Sequence, residues 1–253
     1  AFFMGLAFGP IIGGALHDIW HMNAAFYAMG AISFLSLVML IFMLPEINAH
    51  KNIKPSSLKT ILRDKTMQAM LIFRVMNAYG IAALMGFLPL LAQKINVTIF
   101  QIGFVVTANL LVSSSFQRYF GIIADKSDKI AMQIAGSVMM LIALALMPLA
   151  TGFYTLLLSN MLMGLGSAVS IPAGSAITAQ LGKKLGMGSV MGLFNTAFGI
   201  GGGIGPIVAG LIMLATGLAF VFISSAIIIL AGTIIFYYLM KHNLDYKKIA
   251  QEA

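Results

Sequence analysis

The chain has 253 residues, of which 60% are hydrophobic and 9% are charged, and its mean hydropathy is +0.99. A soluble domain carries roughly 25% charged residues, so this composition excludes an ordinary soluble fold and predicts a chain surrounded by lipid. The sequence contains no cysteine, which excludes disulfide frameworks and thiolate metal sites.

Apolar stretches long enough to cross roughly 30 Å of hydrocarbon follow one another along the whole chain. Backbone amides find no water in a bilayer, so such stretches must form helices or closed barrels. Strand-like alternation is absent, which favours helices. Short turns are predicted between the later spans, among them Asp125–Lys129 and Gln180–Gly188. The eight predicted spans are roughly 1–16, 24–44, 69–92, 99–122, 130–150, 153–178, 189–215 and 218–240.

The first span begins at Ala1, with neither a methionine nor a basic segment before it. A secretory signal peptide would carry a basic segment and a small-residue cleavage site. We therefore expect the sequence to begin part-way through a longer protein.

A long polar connector at 45–68 separates the second span from the third. The serine pair before Leu58 can cap a short helix in which Leu58, Ile61 and Leu62 share a face. We interpret this connector as a surface linker between two helical bundles rather than as a regulatory domain.

Basic residues fall almost wholly on one side of the predicted helices. Twelve of the 15 lysines and arginines lie in the long connector, in alternate later turns and in the tail, whereas Lys94 alone lies on the other side. The positive-inside bias then places the connector and the C-terminus in the cytoplasm. The net charge of +8 is thus a topology signal that also attracts anionic lipid headgroups, and it does not indicate nucleic-acid binding.

A ten-residue pattern occurs twice, once near each end of the chain. Residues 5–14 read GLAFGPIIGG and residues 201–210 read GGGIGPIVAG, so both fit G-x-x-x-G-P-I-[IV]-[GA]-G. Small residues at this spacing let helices pack closely, and proline bends its helix. One copy alone indicates ordinary packing, whereas two copies six spans apart indicate two parallel halves. The candidate packing and gating positions are Gly5, Gly9, Pro10, Gly13, Gly14, Gly201, Gly205, Pro206 and Gly210.

The first copy resembles the G-x-x-x-G-P-x-x-G-G signature of the fifth helix in the drug–proton antiporter branch of the major facilitator superfamily (MFS). The second copy is similar to its repeat in the eleventh helix. Residues 120–126, FGIIADK, resemble the loop signature G-x-L-A-D-R-x-G-R-R between helices eight and nine, although residues 127–129 lack the glycine and the basic pair. The candidate positions of this cytoplasmic loop motif are Gly121, Asp125 and Lys126.

The resemblance implies an all-α membrane protein with the MFS fold of twelve helices, of which this chain holds eight, helices 5 to 12. Helices 1 to 4 of the same protein are then a missing partner. We expect the membrane to be a bacterial inner membrane. The family comparison also implies contact of Asp125 with the cytoplasmic N-terminus of helix 5. The implied parts are 1–44 as the end of the first bundle, 45–68 as the cytoplasmic linker, 69–240 as the second bundle and 241–253 as the cytoplasmic tail.

Polar residues inside membrane spans are costly and usually face the interior of a bundle. The asparagines and arginines within spans fall on those numbered 7, 8, 10 and 11, which the family fold implies border the central cavity. Hydrogen bonding between helices is the alternative role for the same residues. The candidate substrate-cavity residues are Arg74, Asn77, Asn109, Ser113, Asn160, Ser167 and Asn195.

Arg74 has two interpretations. It is predicted to lie about 8–12 Å from the cytoplasmic end of its span, close enough for its side chain to snorkel to the interface. Alternatively, it is a cavity or gating cation that pairs with substrate or with a carboxylate on a missing helix.

The leading functional hypothesis is transport of small-molecule organic substrates by alternating access, with efflux favoured because the helix 5 signature is associated with exporters. Protons are the candidate coupling ion, although all seven acidic residues fall in predicted loops, termini or interfaces. We expect no cofactor, no metal and no enzymatic activity. The alternative is a non-transporting membrane scaffold or a degenerate remnant of a transporter.

Overall fold

The computed structural model describes Trp20, residues 22–43 and residues 57–242. The chain divides into two compact units, Ala1–Lys54 and Pro55–Ala253. In the first unit the described residues form one long helix, α1 (Met22–Met43), whose side chains are mostly apolar and exposed. The first predicted span, 1–16, lies outside the described residues.

Within residues 57–242 the second unit contains one short α-helix, six long ones and a single 3-10 turn at Met147–Leu149. The α-helices are α2 (Leu58–Arg63), α3 (Lys65–Lys94), α4 (Ile99–Lys126), α5 (Lys129–Leu146), α6 (Phe153–Leu185), α7 (Met187–Thr216) and α8 (Leu218–Lys241). Together with α1, the six long helices give seven helices in the described ranges that are long and apolar enough to cross a membrane. They correspond to the second to eighth predicted spans, so the all-α membrane architecture is confirmed for these residues.

Polar caps explain where several of these helices begin. The Asp64 carboxylate accepts a backbone N–H of the first turn of α3 (3.0 Å), and Thr98 forms a capping box with Gln101 at the start of α4. The Asp128 carboxylate accepts two backbone N–H groups of α5, at 2.9 and 3.3 Å. Such bonds satisfy the amide donors that the first turn of a helix leaves unpaired.

Residues 57–68 are the described part of the predicted linker 45–68. The short helix expected in it is α2, and the hydroxyl of Ser57 accepts the N–H of Thr60 at its start (3.3 Å). Because α3 begins at Lys65, the last four residues of the predicted linker form the first turn of that helix.

The turn predicted at Asp125–Lys129 is shorter than predicted. No glycine or proline lies between Ile122 and Lys126, so α4 continues through Lys126 and ends where Asp128 caps the next helix. The positions assigned to a cytoplasmic loop motif, Gly121, Asp125 and Lys126, therefore lie in the last turns of α4 and not in a loop.

The turn predicted at Gln180–Gly188 is wrong. Helix α6 runs to Leu185 and α7 begins at Met187, so Gly186 is the single residue between them. Gly186 has φ 109°, which L-residues with a side chain rarely adopt. One glycine in this conformation is enough to end one helix and start the next.

Helices α3 and α6 form the centre of the second unit. In their most apolar stretches 50% and 56% of the residues are buried, against 22% for α4 and α7. Helix α3 packs mainly on α7 and α8, and α6 packs mainly on α4 and α5. Contacts of α5 with α8 and of α6 with α7 join these two groups of three helices.

Candidate functional site

A small cavity lies between α3, α5, α6 and α7, in the half of the bundle nearer the lysine-bearing helix ends. Its free volume of about 20 Å³ is enough for a water-sized group. Sequence-predicted residues that line it are Arg74 and Asn77 on α3 and Ser167 on α6. The remaining lining residues are Phe73, Ile81, Gln133, Met140, Ser170, Ile171, Gly174 and Phe194.

Arg74 supplies the charge of this cavity. It lies nine residues into α3, or about 13 Å along the helix axis from Lys65. The guanidinium carbon lies 4.6 Å from the ring centroid of Phe194 and 4.5 Å from that of Phe198, both on α7. Each such cation–π contact contributes about 0.5–2 kcal/mol.

The hydrogen-bonding groups of Arg74 have no partner among the described residues. Its Nε is buried without a hydrogen bond, and no carboxylate lines the cavity. Arg74 as a whole is half-buried. A partly desolvated cation without a counter-ion is costly in a low-dielectric interior, and the two phenylalanine rings offset part of that cost.

Two amide side chains of the cavity also carry unpaired atoms. Asn77 is 5% exposed and donates from Nδ2 to the backbone oxygen of Phe73 (3.1 Å), while its Oδ1 is buried without a partner. Gln133, on α5, is 2% exposed, and its Oε1 is likewise unpartnered. The cavity thus offers one unpaired N–H donor and two unpaired acceptors.

Three other candidate cavity residues lie instead where α4 packs on α6. Asn109 Nδ2 donates across this contact to the backbone oxygen of Asn160 (2.7 Å). Asn160 Nδ2 donates to the backbone oxygen of Leu156 (3.0 Å) within α6. Ser113 is buried one turn further along α4. None of the three lines the Arg74 cavity.

Asn195, the last candidate cavity residue, is exposed on the surface of α7 in the second unit. It follows Phe194, which is buried against Arg74, so neighbouring positions of one helix face different surroundings. The structure brings Arg74, Asn77 and Ser167 together and leaves Asn195 outside the cavity.

The second glycine–proline motif holds α7 against α3. A Cβ at Gly201 would overlap the backbone oxygen of Val75, and a Cβ at Gly205 would lie 3.0 Å from the backbone oxygen of Tyr79. Pro206 is exposed, and a Cβ at Gly210 would meet a phenylalanine ring at 3.9 Å. The close packing fixes the part of α7 that carries the Arg74-binding phenylalanines. The first copy, with Gly5, Gly9, Pro10, Gly13 and Gly14, lies outside the described residues.

The charged residues of the degenerate loop motif, Asp125 and Lys126, are exposed at the end of α4. Asp125 and Lys126 have no ion pair or side-chain hydrogen bond within the described parts of the chain, and Gly121 is half-buried. The expected partner of Asp125, the start of helix 5, falls in residues 1–19, which are not described.

Sequence reasoning missed Gln133, Ser170 and the two phenylalanines of α7. It considered asparagines and arginines within spans, and Gln133 lies within one turn of the charged start of α5. The available signal was the four-residue spacing of Gln133 and Ser137, which puts both polar side chains on one face of an otherwise apolar helix. Both are buried.

Comparison with known proteins agrees with this architecture. A family model described as Major Facilitator Superfamily matches residues 70–252. An uncharacterized MFS-type transporter of Methanocaldococcus jannaschii is 29% identical over 242 residues, covering 92% of this chain and 62% of that protein. The riboflavin transporter RibZ of Clostridioides difficile is 27% identical over 135 residues, covering 53% of this chain and 30% of that protein.

The chain therefore spans less than two thirds of the length of either relative. The family match extends from the first turns of α3 past the end of α8, and it includes every residue that lines the Arg74 cavity. The chain belongs to the Major Facilitator Superfamily of membrane transporters.

Proposed function

We propose that the protein to which this chain belongs is a secondary-active transporter that exports small organic molecules by alternating access. The observation that carries the proposal is the cavity in which Arg74, Asn77 and Gln133 keep unpaired polar atoms inside a six-helix bundle. Polar groups are costly within a membrane and mark the paths of substrates and ions.

The complete transporter in this proposal has two parallel six-helix bundles, with this chain supplying helices 5 to 12. Helices 1 to 4 complete the first bundle, which faces the second bundle in the MFS fold. The greater length of both relatives supports this arrangement. The alternative of a non-transporting scaffold predicts a folded protein without flux.

We assign the protein to the drug–proton antiporter branch on its two glycine–proline motifs. Protons are the proposed coupling ion. The buried residues of α3 to α8 include no Asp, Glu or His in the described parts of the chain, so we place the proton-carrying group on another helix of the complete protein.

The topology proposed is a bacterial inner membrane with the linker and the C-terminus in the cytoplasm. It can be tested in this cysteine-free chain by single substitutions at exposed positions. Ser57→Cys and Ser127→Cys should resist an impermeant maleimide in whole cells, whereas Gln93→Cys should react. Reaction at Ser127→Cys without reaction at Gln93→Cys would reverse the orientation.

Flux tests the function itself. The complete protein is reconstituted into proteoliposomes with an imposed pH gradient, and uptake is measured for neutral, cationic and anionic fluorescent compounds. Riboflavin is included as a neutral compound, because one relative is named as its transporter. We expect saturable flux that collapses with the gradient. Folded protein without flux of any compound would favour the scaffold.

A further inference from the structure

The unpaired atoms of the cavity also specify a class of ligand, an inference that rests on the proposed function and deepens it. We propose that Arg74 binds the carboxylate or phosphate group of a soluble organic anion. In the same site, Asn77 and Gln133 accept hydrogen bonds from hydroxyl or amine groups next to that oxyanion.

The first support is the charge of the cavity. Every lining residue other than Arg74 is neutral, and no Asp or Glu is buried in the described helices. Since a charge held away from water needs a counter-charge or strong hydrogen bonds, the cavity is electrostatically matched to an anion.

The second support is the way in which Arg74 is held. Phe194 and Phe198 contact the guanidinium through their ring faces, which bind the charge but do not accept its in-plane N–H groups as a carboxylate does. The buried Nε–H therefore stays available. A carboxylate or phosphate can bind the planar N–H fork with two parallel hydrogen bonds.

The third support comes from the two amides. Asn77 Oδ1 and Gln133 Oε1 are acceptors, so an oxyanion alone would leave both unsatisfied. A ligand that also carries O–H or N–H groups would satisfy them together with Arg74. The free volume of about 20 Å³ holds one water-sized group of such a ligand at a time, and Phe73, Ile81 and Met140 supply apolar wall around it.

Simple anchoring of Arg74 at the membrane surface is the competing account. An arginine that snorkels keeps its charged head in water. Arg74 is half-buried, but its Nε is buried and its guanidinium carbon lies against two rings of another helix, which favours a role inside the bundle.

Charge-selective labelling tests the proposal without knowledge of the natural substrate. Ser167→Cys places a single thiol on the cavity wall of this cysteine-free chain. In the complete protein in phosphatidylcholine nanodiscs, its rate of modification by anionic 2-sulfonatoethyl methanethiosulfonate is compared with the rate for the cationic trimethylammonium analogue.

We expect Arg74→Gln to lower the anion-to-cation rate ratio at Ser167→Cys about tenfold. Arg74→Lys should retain most of the ratio, because it keeps the charge. Ser115→Cys, exposed on α4, is the matched control, and its ratio should not respond to Arg74. An unchanged ratio at Ser167→Cys would overturn the proposal.

The hydrogen bonds are tested by measuring how well two matched small molecules protect the Ser167→Cys thiol from modification. Salicylate carries a carboxylate beside a hydroxyl donor, and salicylamide is its uncharged counterpart. Salicylate should protect Ser167→Cys at about tenfold lower concentration, and Arg74→Gln should remove that difference. Arg74→Lys should weaken protection, because an ammonium lacks the planar fork. Equal protection by both compounds would contradict an oxyanion site.

A lipid phosphate could satisfy the same chemistry, so the measurement is repeated with increasing phosphatidylglycerol. If protection of the Ser167→Cys thiol depends on salicylate concentration at every lipid composition, the ligand is a soluble anion. If protection depends on phosphatidylglycerol content instead, the proposal of a soluble anion is overturned. The outcome is separable from transport: charge-selective protection without flux would refute the transport function alone, and flux without charge selectivity would refute the anion site alone.

Discussion

Two regions of the second unit bury polar side chains of the same kind and use them differently. Where α4 packs on α6, the amide of Asn109 donates across the contact to the backbone of Asn160 at 2.7 Å. Asn160 Oδ1 and Ser113 Oγ of that contact are themselves unpaired, as are Arg74 Nε, Asn77 Oδ1 and Gln133 Oε1 in the cavity, but in the cavity no side-chain hydrogen bond links two described helices.

The difference separates two reasons for retaining polarity in a membrane helix. In the α4–α6 contact, a polar group links two helices, which stabilises the fold by about 0.6–2 kcal/mol. Around Arg74 no such link between helices is made, and the unpaired groups cost stability that the proposed ligand would recover by pairing with them. Substitutions in the α4–α6 contact should therefore lower stability more than flux. Substitutions in the cavity should lower flux more than stability.

The largest effect is expected on transport when Arg74 is removed. Arg74→Ala should lower flux per folded molecule more than tenfold, because the cavity loses its charge, with a Tm within about 2 °C of the native value. Arg118→Ala is the matched control, since Arg118 is exposed on α4 outside the cavity. Flux and Tm are measured on the same preparations. Normal flux by Arg74→Ala would make this arginine an anchor rather than a binding residue.

A large effect on stability is expected at Gly164, in the α4–α6 contact. A Cβ there would lie 2.5 Å from the backbone oxygen of Asn109, which cannot move independently of its helix. Gly164→Ala should therefore destabilise the fold by about 1–3 kcal/mol.

Gly174→Ala is the comparable substitution beside the cavity. Its Cβ would meet the side chain of Gln133 at 2.8 Å, and a flexible side chain can give way. We expect less than about 1 kcal/mol of destabilisation with a change in flux. Thermal unfolding of both variants in detergent checks the contrast, and a larger loss of Tm at Gly174 would reverse it.

A smaller effect is expected from the interhelical hydrogen bond itself. Asn109→Ala should reduce stability by about 0.6–1 kcal/mol and leave flux per folded molecule near normal, because Asn109 contacts α6 and not the cavity. The control is Asn195→Ala, at an exposed position of α7. A loss of flux by Asn109→Ala at unchanged Tm would place Asn109 in the transport machinery.

Composition and span length were sufficient to predict the helices, because crossing a bilayer constrains both. The predicted start at 99 and the predicted start at 218 coincide with Ile99 and Leu218. Helix ends were predicted less well, because capping and single glycines decide them. Gly186 alone separates α6 from α7. The polar residues on either side of it led to the prediction of a longer turn there.

The cavity could be predicted only in part. A polar residue within a membrane span indicates a position inside a bundle, but not which neighbour it meets. Arg74 and Asn77 share a face of α3 by their spacing, which the sequence shows directly. Whether Gln133 and Phe194 lie next to that face of α3 depends on how four helices cross, and no local sequence pattern encodes those crossings.

Gln133→Met tests most directly the claim that the cavity keeps unpaired polar atoms for a ligand. The substitution replaces a buried amide with an apolar side chain of similar shape, which removes the unpartnered Oε1. We predict that the Tm stays the same or rises, while flux per folded molecule falls several-fold. A lower Tm with unchanged flux would show that Gln133 stabilises the fold, and it would contradict the distinction between the two regions.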